Sequence, residues 1–188
     1  MSNDPKLRAE ISEHLVVLRC QVGDEAAFEM LFDRYNGRLL YYLRRLLGTG
    51  GQAEDILQSV WLKVVRKIGT LREPRAVRAW MYRIAHNEAI QQLRDSGREI
   101  ALNEAEDTLE AIPEEEESSP VDSARVHAAL DEISPAHRAV LTLRFMDDLS
   151  YEEMAGVVGC SIGTIRSRIH YAKRALRERM EEVDHEQR

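Results

Sequence analysis

Apolar residues recur at steps of three and four from Phe28 to Leu46: Phe28, Leu31, Phe32, Tyr35, Leu39, Tyr42, Leu43 and Leu46. That period marks one face of an α-helix and predicts a helix over 24–47. GTGGQ at 48–52 breaks it. A second helix is predicted over 53–68, with Ile56, Leu57, Val60, Trp61, Val64 and Ile68 inward and Asp55, Gln58, Ser59, Leu62 and Arg66 on the opposite stripe. Pro74 disfavours helical backbone at Glu73, so LREP at 71–74 is a second break. A third helix follows over about 75–95, with Val77, Trp80, Met81, Ile84, Ala85 and Leu93 inward.

The pattern then fades. Residues 99–121 carry EEEE at 114–117, then SSP, with few large apolar groups. Such a segment cannot bury enough surface to offset its ordering entropy, and it reads as a flexible acidic linker. Helical period returns over about 122–132. Ser134-Pro135 opens another helix, with Ser as N-cap and Pro in the first turn, running to about Phe145. Ser150 and Glu153 have capping-box spacing at the start of the next, Gly159 stops it, and Ser161 caps the last. The expectation is an all-α protein of two small helical domains, 1–98 and 122–188, joined by the linker at 99–121.

Helix 151–158, the turn GCS and a long final helix have the outline of a helix-turn-helix. Gly159 permits the turn's positive φ. Met154, Val158, Cys160 and Ile165 are expected as the small shared core. The final helix is two-faced. Ile162, Ile165, Ile169, Ala172 and Leu176 line one side. Gly163, Arg166, Ser167, His170 and Arg174 line the other, flanked by Arg168, Lys173 and Arg177. A basic amphipathic helix alone is equally a solvated surface helix. Joined to a capped preceding helix and a glycine turn, its polar stripe suits base edges and phosphates together.

Charge sharpens this picture. The chain of 188 residues has 26 basic and 33 acidic side chains, a formal charge of −7. Yet residues 63–98 hold nine basic and three acidic side chains, and residues 161–179 hold six basic and one. Residues 99–120 hold nine acidic and no basic ones. The local charges speak to partners more than the sum does. No apolar run reaches the roughly 20 residues that span a bilayer, and MSNDPKLRAEISEHL lacks a signal pattern. Two cysteines, Cys20 and Cys160, make no CxxC. A cytoplasmic protein without membrane contact is expected.

Chemical motifs are absent. The six histidines have no metal-ligand spacing, and GTGG at 48–51 is not followed by Gly-Lys-Ser/Thr. The carboxylates at 114–117 lack the fixed setting that acid–base work needs. No catalytic residue, metal or cofactor is expected. Three alternatives to an all-helical enzyme remain: a helix-turn-helix regulator with a helical sensor domain, an adaptor that binds only protein, and the reading that follows.

AEDILQSVWLKVVRKI at 53–68 and RAWMYRIAHNEAIQQLR at 78–94 resemble the second conserved region of bacterial sigma factors of the extracytoplasmic-function (ECF) group. LSYEEMAGVVGCSIGTIRSRIHYAKRALRER at 149–179 resembles their fourth region. The order, the spacing and the acidic linker match as well, over roughly 24–180. Ile162 is a departure, since many members have Pro there.

The resemblance implies an alternative sigma factor that binds core RNA polymerase, recognises minus-thirty-five and minus-ten promoter elements and initiates transcription. It implies that Asp55, Gln58, Ser59, Leu62 and Arg66 dock on a coiled coil of core polymerase. It implies that Asn87 borders a flipped-base pocket beside the loop IGTLREPRAV. Arg72, Arg75, Arg78, Arg83 and Arg94 are the cations available for the melting element. Ser161, Thr164, Arg166, Ser167, Arg168, His170, Lys173, Arg174 and Arg177 are the candidates for the upstream element. The linker would thread a basic polymerase channel. The implied partners are core RNA polymerase, promoter DNA and an anti-sigma factor, with a monomer when free.

Overall fold

The computed structural model describes residues 5–48, 52–97 and 123–186. The expected linker at 99–121 lies outside the described residues. Eight α-helices occur among those described: α1 Pro5–Gln21, α2 Glu25–Leu47, α3 Ala53–Lys67, α4 Val77–Asp95, α5 Ser123–Glu132, α6 Pro135–Leu141, α7 Tyr151–Val158 and α8 Ile162–Glu186.

Helix α1 was not legible in the hydrophobic pattern, yet it closes one side of the first domain. Val16, Val17 and Cys20 bury against the core while Leu15 and Leu18 stay exposed, so its apolar residues do not share one face. The end of α1 also fixes the loop after α3. Gln21 Nε2 donates to the carbonyls of Ile68 at 3.1 Å and Leu71 at 2.7 Å. Asp24 caps α2, its carboxylate accepting from Ala27 N at 3.2 Å. Two single turns of 3₁₀-helix, Ile68–Thr70 and Pro74–Ala76, stand where a break was expected.

The α2 stripe is buried as its period requires, from Leu31 and Tyr35 to Leu46, except that Phe32 is exposed and Phe28 only half-buried. In α4, Val77, Met81, Ala85 and Leu93 are buried, but Trp80 and Ile84 are only partly so. Tyr82, His86 and Ala89 are buried instead. The reason is tertiary. Helix α4 packs on α2 and α3 by one face and on α7 by another, so more of its circumference is covered than one amphipathic face allows.

In the second domain Ser134 caps α6 through His137 N, and α6 stops at Leu141, where a π turn over Thr142–Met146 takes over. This shortens the helix expected to reach Phe145. The turn is tied down by Leu149 N donating to Leu143 O at 3.1 Å and by Arg144 donating to Leu149 O at 3.0 Å. The capping box at Ser150 and Glu153 is formed in both directions. Gly159 adopts φ +77, the left-handed conformation the turn needs. Ser161 accepts from Thr164 N at 3.0 Å and caps α8. Met154 and Ile165 are buried in the shared core, with Val158 and Cys160 at its edge. Ile162 is exposed, because it precedes the first turn that packs.

The two domains pack on each other. Helices α2 and α4 of the first meet α6 and α7 of the second. Arg45 pairs with Asp131, Arg38 approaches Asp147 at 3.6 Å, and Arg78 approaches Glu153 at 3.7 Å.

Candidate polymerase and nucleic-acid interfaces

Helix α3 buries Ile56, Leu57, Val60 and Val64, which turns its other face outward. Asp55, Gln58, Leu62 and Arg66 are exposed there and Ser59 is half-buried. Leu62 is 58% exposed. Val65, which the sequence pattern left unassigned, is 54% exposed one turn further on. Trp61 donates from Nε1 to Asn36 Oδ1 at 3.0 Å and packs against Phe32 with ring centroids 5.0 Å apart. Leu62 and Val65 thus form an exposed apolar pair on α3 among exposed Asp55, Gln58 and Arg66, and exposed Phe32 of α2 packs on the neighbouring Trp61, the composition of an interaction surface. The i+3 spacing of Leu62 and Val65 was the available signal for it.

The loop between α3 and α4 is shaped locally. Glu73 accepts from Arg75 N at 3.2 Å and caps the second 3₁₀ turn, while Ile68 and Pro74 are buried beneath it. Arg72 and Arg75 are thereby held exposed. On α4, Arg83, Asn87 and Arg94 are exposed at steps of four and seven and so share one stripe. Arg78 is different. It lies half-buried in the domain seam, paired with Glu153.

Behind that stripe lies a buried polar cluster. Tyr42 Oη and His86 Nδ1 are hydrogen-bonded at 2.8 Å, and Tyr42 meets Tyr82 edge-on at 5.3 Å. Burial, aided by the nearby Arg168 cation, lowers the His86 pKa to about 4, so its ring is neutral. Burial pushes the phenols of Tyr35, Tyr42 and Tyr82 up, which keeps them protonated.

On α8 the expected outer face is divided. Arg166, Arg174 and Arg177 are exposed; Thr164, His170 and Lys173 are half-buried; Ser161 is exposed at the cap. Arg166 lies over the Tyr151 ring at 5.8 Å and Lys173 over Phe145 at 5.4 Å, contacts that hold both cations against aromatic faces. Arg174 is held to its own helix by Glu178 at 2.9 Å. Ser167 and Arg168 correct the expectation of an open polar stripe. Ser167 is 7% exposed and bonds back to the carbonyls of Gly163 and Thr164. Arg168 is 9% exposed, on the side of α8 that looks toward α4. Helical period placed Ser167 on the polar stripe and Arg168 on its flank; Ser167 is instead tied back to its own helix, and Arg168 lies on the side that looks toward α4.

Residues 31–99 match sigma-70 region 2, and residues 123–176 match sigma-70 region 4. Over 173 residues the chain is 34% identical to the RNA polymerase sigma-H factor of Pseudomonas aeruginosa, covering 86% of this chain and 90% of that one. It is 31% identical over 179 residues to the ECF RNA polymerase sigma-E factor of Escherichia coli K12, covering 89% of this chain and 93% of the relative. This chain belongs to the ECF sigma factors. The sigma factor RpoE of Bartonella quintana, solved with the anti-sigma factor NepR, superposes with a TM-score of 0.63 at 26% identity, over 82% of this chain and 96% of that one. CnrH, solved with the cytosolic domain of CnrY, shares the fold at a TM-score of 0.61 and 20% identity, over 88% of this chain and 95% of that one.

As an ECF sigma factor the chain directs transcription initiation from promoters and is not an enzyme. Among the described residues no His, Cys, Asp and Glu cluster could hold a metal, and no helix is long and apolar enough to cross a membrane.

Proposed function

We propose that this sigma factor divides its work over three faces. The α3 stripe of Asp55, Gln58, Ser59, Leu62 and Arg66, extended by Val65, binds core RNA polymerase. Arg72, Arg75, Arg78, Arg83, Asn87 and Arg94 bind and open the minus-ten element. Arg166, with Ser161, Thr164, His170, Lys173, Arg174 and Arg177, binds the minus-thirty-five element. Ser167 and Arg168 are nearly buried and stand outside this set. The observation that carries this reading is the exposed α4 stripe, an amide at Asn87 flanked by the cations of Arg83 and Arg94. An unstacked base needs edge hydrogen bonds, and its backbone needs positive charge.

The protein works in the cytoplasm, is a monomer when free, and is held inactive by an anti-sigma factor, as the Bartonella quintana relative with its NepR partner suggests. Asn87→Ala tests the melting assignment. Open-complex formation falls while closed-complex binding holds. Permanganate footprints on the melted strand that match the parent protein would assign base capture elsewhere.

A further inference from the structure

Gln21, the last residue of α1, reaches across 47 and 50 residues of sequence to the loop between α3 and α4. A side-chain amide carries two N–H donors, and this half-buried one finds two acceptors. Nε2 donates to Ile68 O at 3.1 Å and to Leu71 O at 2.7 Å. Leu71 N also donates to Ile68 O at 3.1 Å, so one amide closes over both ends of the first 3₁₀ turn. The tip of that turn, Gly69 and Thr70, is exposed, as are Arg72, Glu73 and Arg75 beyond it. Among the described residues the loop's other hydrogen bonds are local. Thr70 Oγ1 donates to Lys67 O, Arg75 N to the Glu73 carboxylate and Ala76 N to Glu73 O. Such bonds shape each turn but cannot set where the turns stand in the domain. That is set by the buried Ile68 and Pro74, by α1 packing on both turns, and by the Gln21 amide. Gln21 lies outside residues 31–99, the span that matches sigma-70 region 2.

We propose that Gln21 is a positioning residue for promoter opening, its amide clamp holding the loop at 68–76 in the shape that receives an unstacked base. Capture by a loop that must first be ordered is weaker than capture by one already in place, because the ordering cost falls on the capture step. Helix α1 is held to the core by Val16, Val17 and Cys20 without this amide, so the clamp acts on the loop rather than on the helix. A closed complex has paired strands and offers no unstacked base. Gln21 therefore acts on the opening step and leaves the preceding binding step alone. The inference rests on reading the loop and Asn87 as part of the melting face, and the experiment keeps the failure of that reading apart from the failure of the clamp.

The test follows open-complex formation by core polymerase carrying the full chain, in stopped-flow fluorescence over a range of holoenzyme concentrations. Saturation separates closed-complex affinity from the opening rate. Gln21→Met keeps the length of the side chain and loses both donors. Its opening rate is expected to fall about tenfold, within the range of two net hydrogen bonds, with closed-complex affinity and core binding at parent values. On a promoter mismatched across the minus-ten element the strands are already apart, and there Gln21→Met is expected to initiate at the parent rate. A merely structural defect would persist on that template. A parent opening rate on duplex DNA overturns the clamp, and so does a defect that the mismatched promoter leaves in place. If Gln21→Met does not fold, Gln21→Asn, one methylene too short to reach both carbonyls, decides by the same two outcomes. Asn87→Ala is measured alongside. A parent opening rate there overturns the assignment of Asn87, while the Gln21 result still judges the clamp.

Discussion

Arg78 of α4 reaches Glu153 of α7 at 3.7 Å, and the same Glu153 carboxylate accepts from Ser150 N at 2.8 Å in the capping box. One side chain thus starts the first helix of the helix-turn-helix and touches the melting domain. The two roles separate by substitution. Glu153→Gln keeps an acceptor for the cap and loses the ion pair, which at about one-third exposure contributes under about 1 kcal/mol. Glu153→Ala loses the cap contact as well and costs a further ~1 kcal/mol. Urea denaturation of both variants checks the order; equal losses would mean that the cap contributes nothing.

Leu62→Arg with Gln58→Ala places charge and removes an amide in the middle of the α3 strip. Core polymerase binding should fall at least about tenfold, in line with a hot-spot loss of more than ~1 kcal/mol. Helicity should be unchanged, because both side chains are exposed. Co-purification with core enzyme and circular dichroism measure the two.

Arg166 lies nearer the start of α8, the end that usually enters the major groove, and Arg177 lies about three turns later. Arg166→Ala should change which upstream sequences are used, at about 1–3 kcal/mol for a lost bidentate guanine contact. Arg177→Ala should weaken all sequences alike and reduce the salt slope by about one. Transcription from a randomised upstream element at several salt concentrations separates them. An unaltered preference for Arg166→Ala would remove that residue from base reading.

His86 makes the fold acid-sensitive. Its pKa falls from 6.5 in the unfolded chain to about 4 in the fold, so the unfolded state binds the proton first as pH drops. The stability it supports is complete above pH 6.5 and is lost progressively toward pH 4, by about 3 kcal/mol at most. The Asp147 carboxyl, whose pKa burial raises, works in the opposite direction, since the folded state takes up that proton before the unfolded chain does. Melting temperatures in an Asp147→Asn background isolate the histidine. There His86→Gln should flatten the slope between pH 6.5 and 5, and an unchanged slope would place the sensitivity in another group.

The sequence by itself determined the local elements and the family. Ser134, Ser150, Glu153, Gly159 and Ser161 lie where caps and turns require them, because capping depends on side chains within three residues of the helix end. The α3 stripe and the Arg83–Asn87–Arg94 stripe were legible for a similar reason, since helical period alone sets which residues share a face. Tertiary structure decided what period cannot. Helix α1 has no clean apolar stripe, and its place follows from Gln21 bonding to the loop at 68–71. Tyr82 and His86 are buried because α4 is covered by both domains. Arg78 and Arg168 look solvent-facing on a helical wheel, but Arg78 meets Glu153 and Arg168 lies near His86, neighbours distant in sequence. A wheel describes one helix against one core, and at this seam two cores meet.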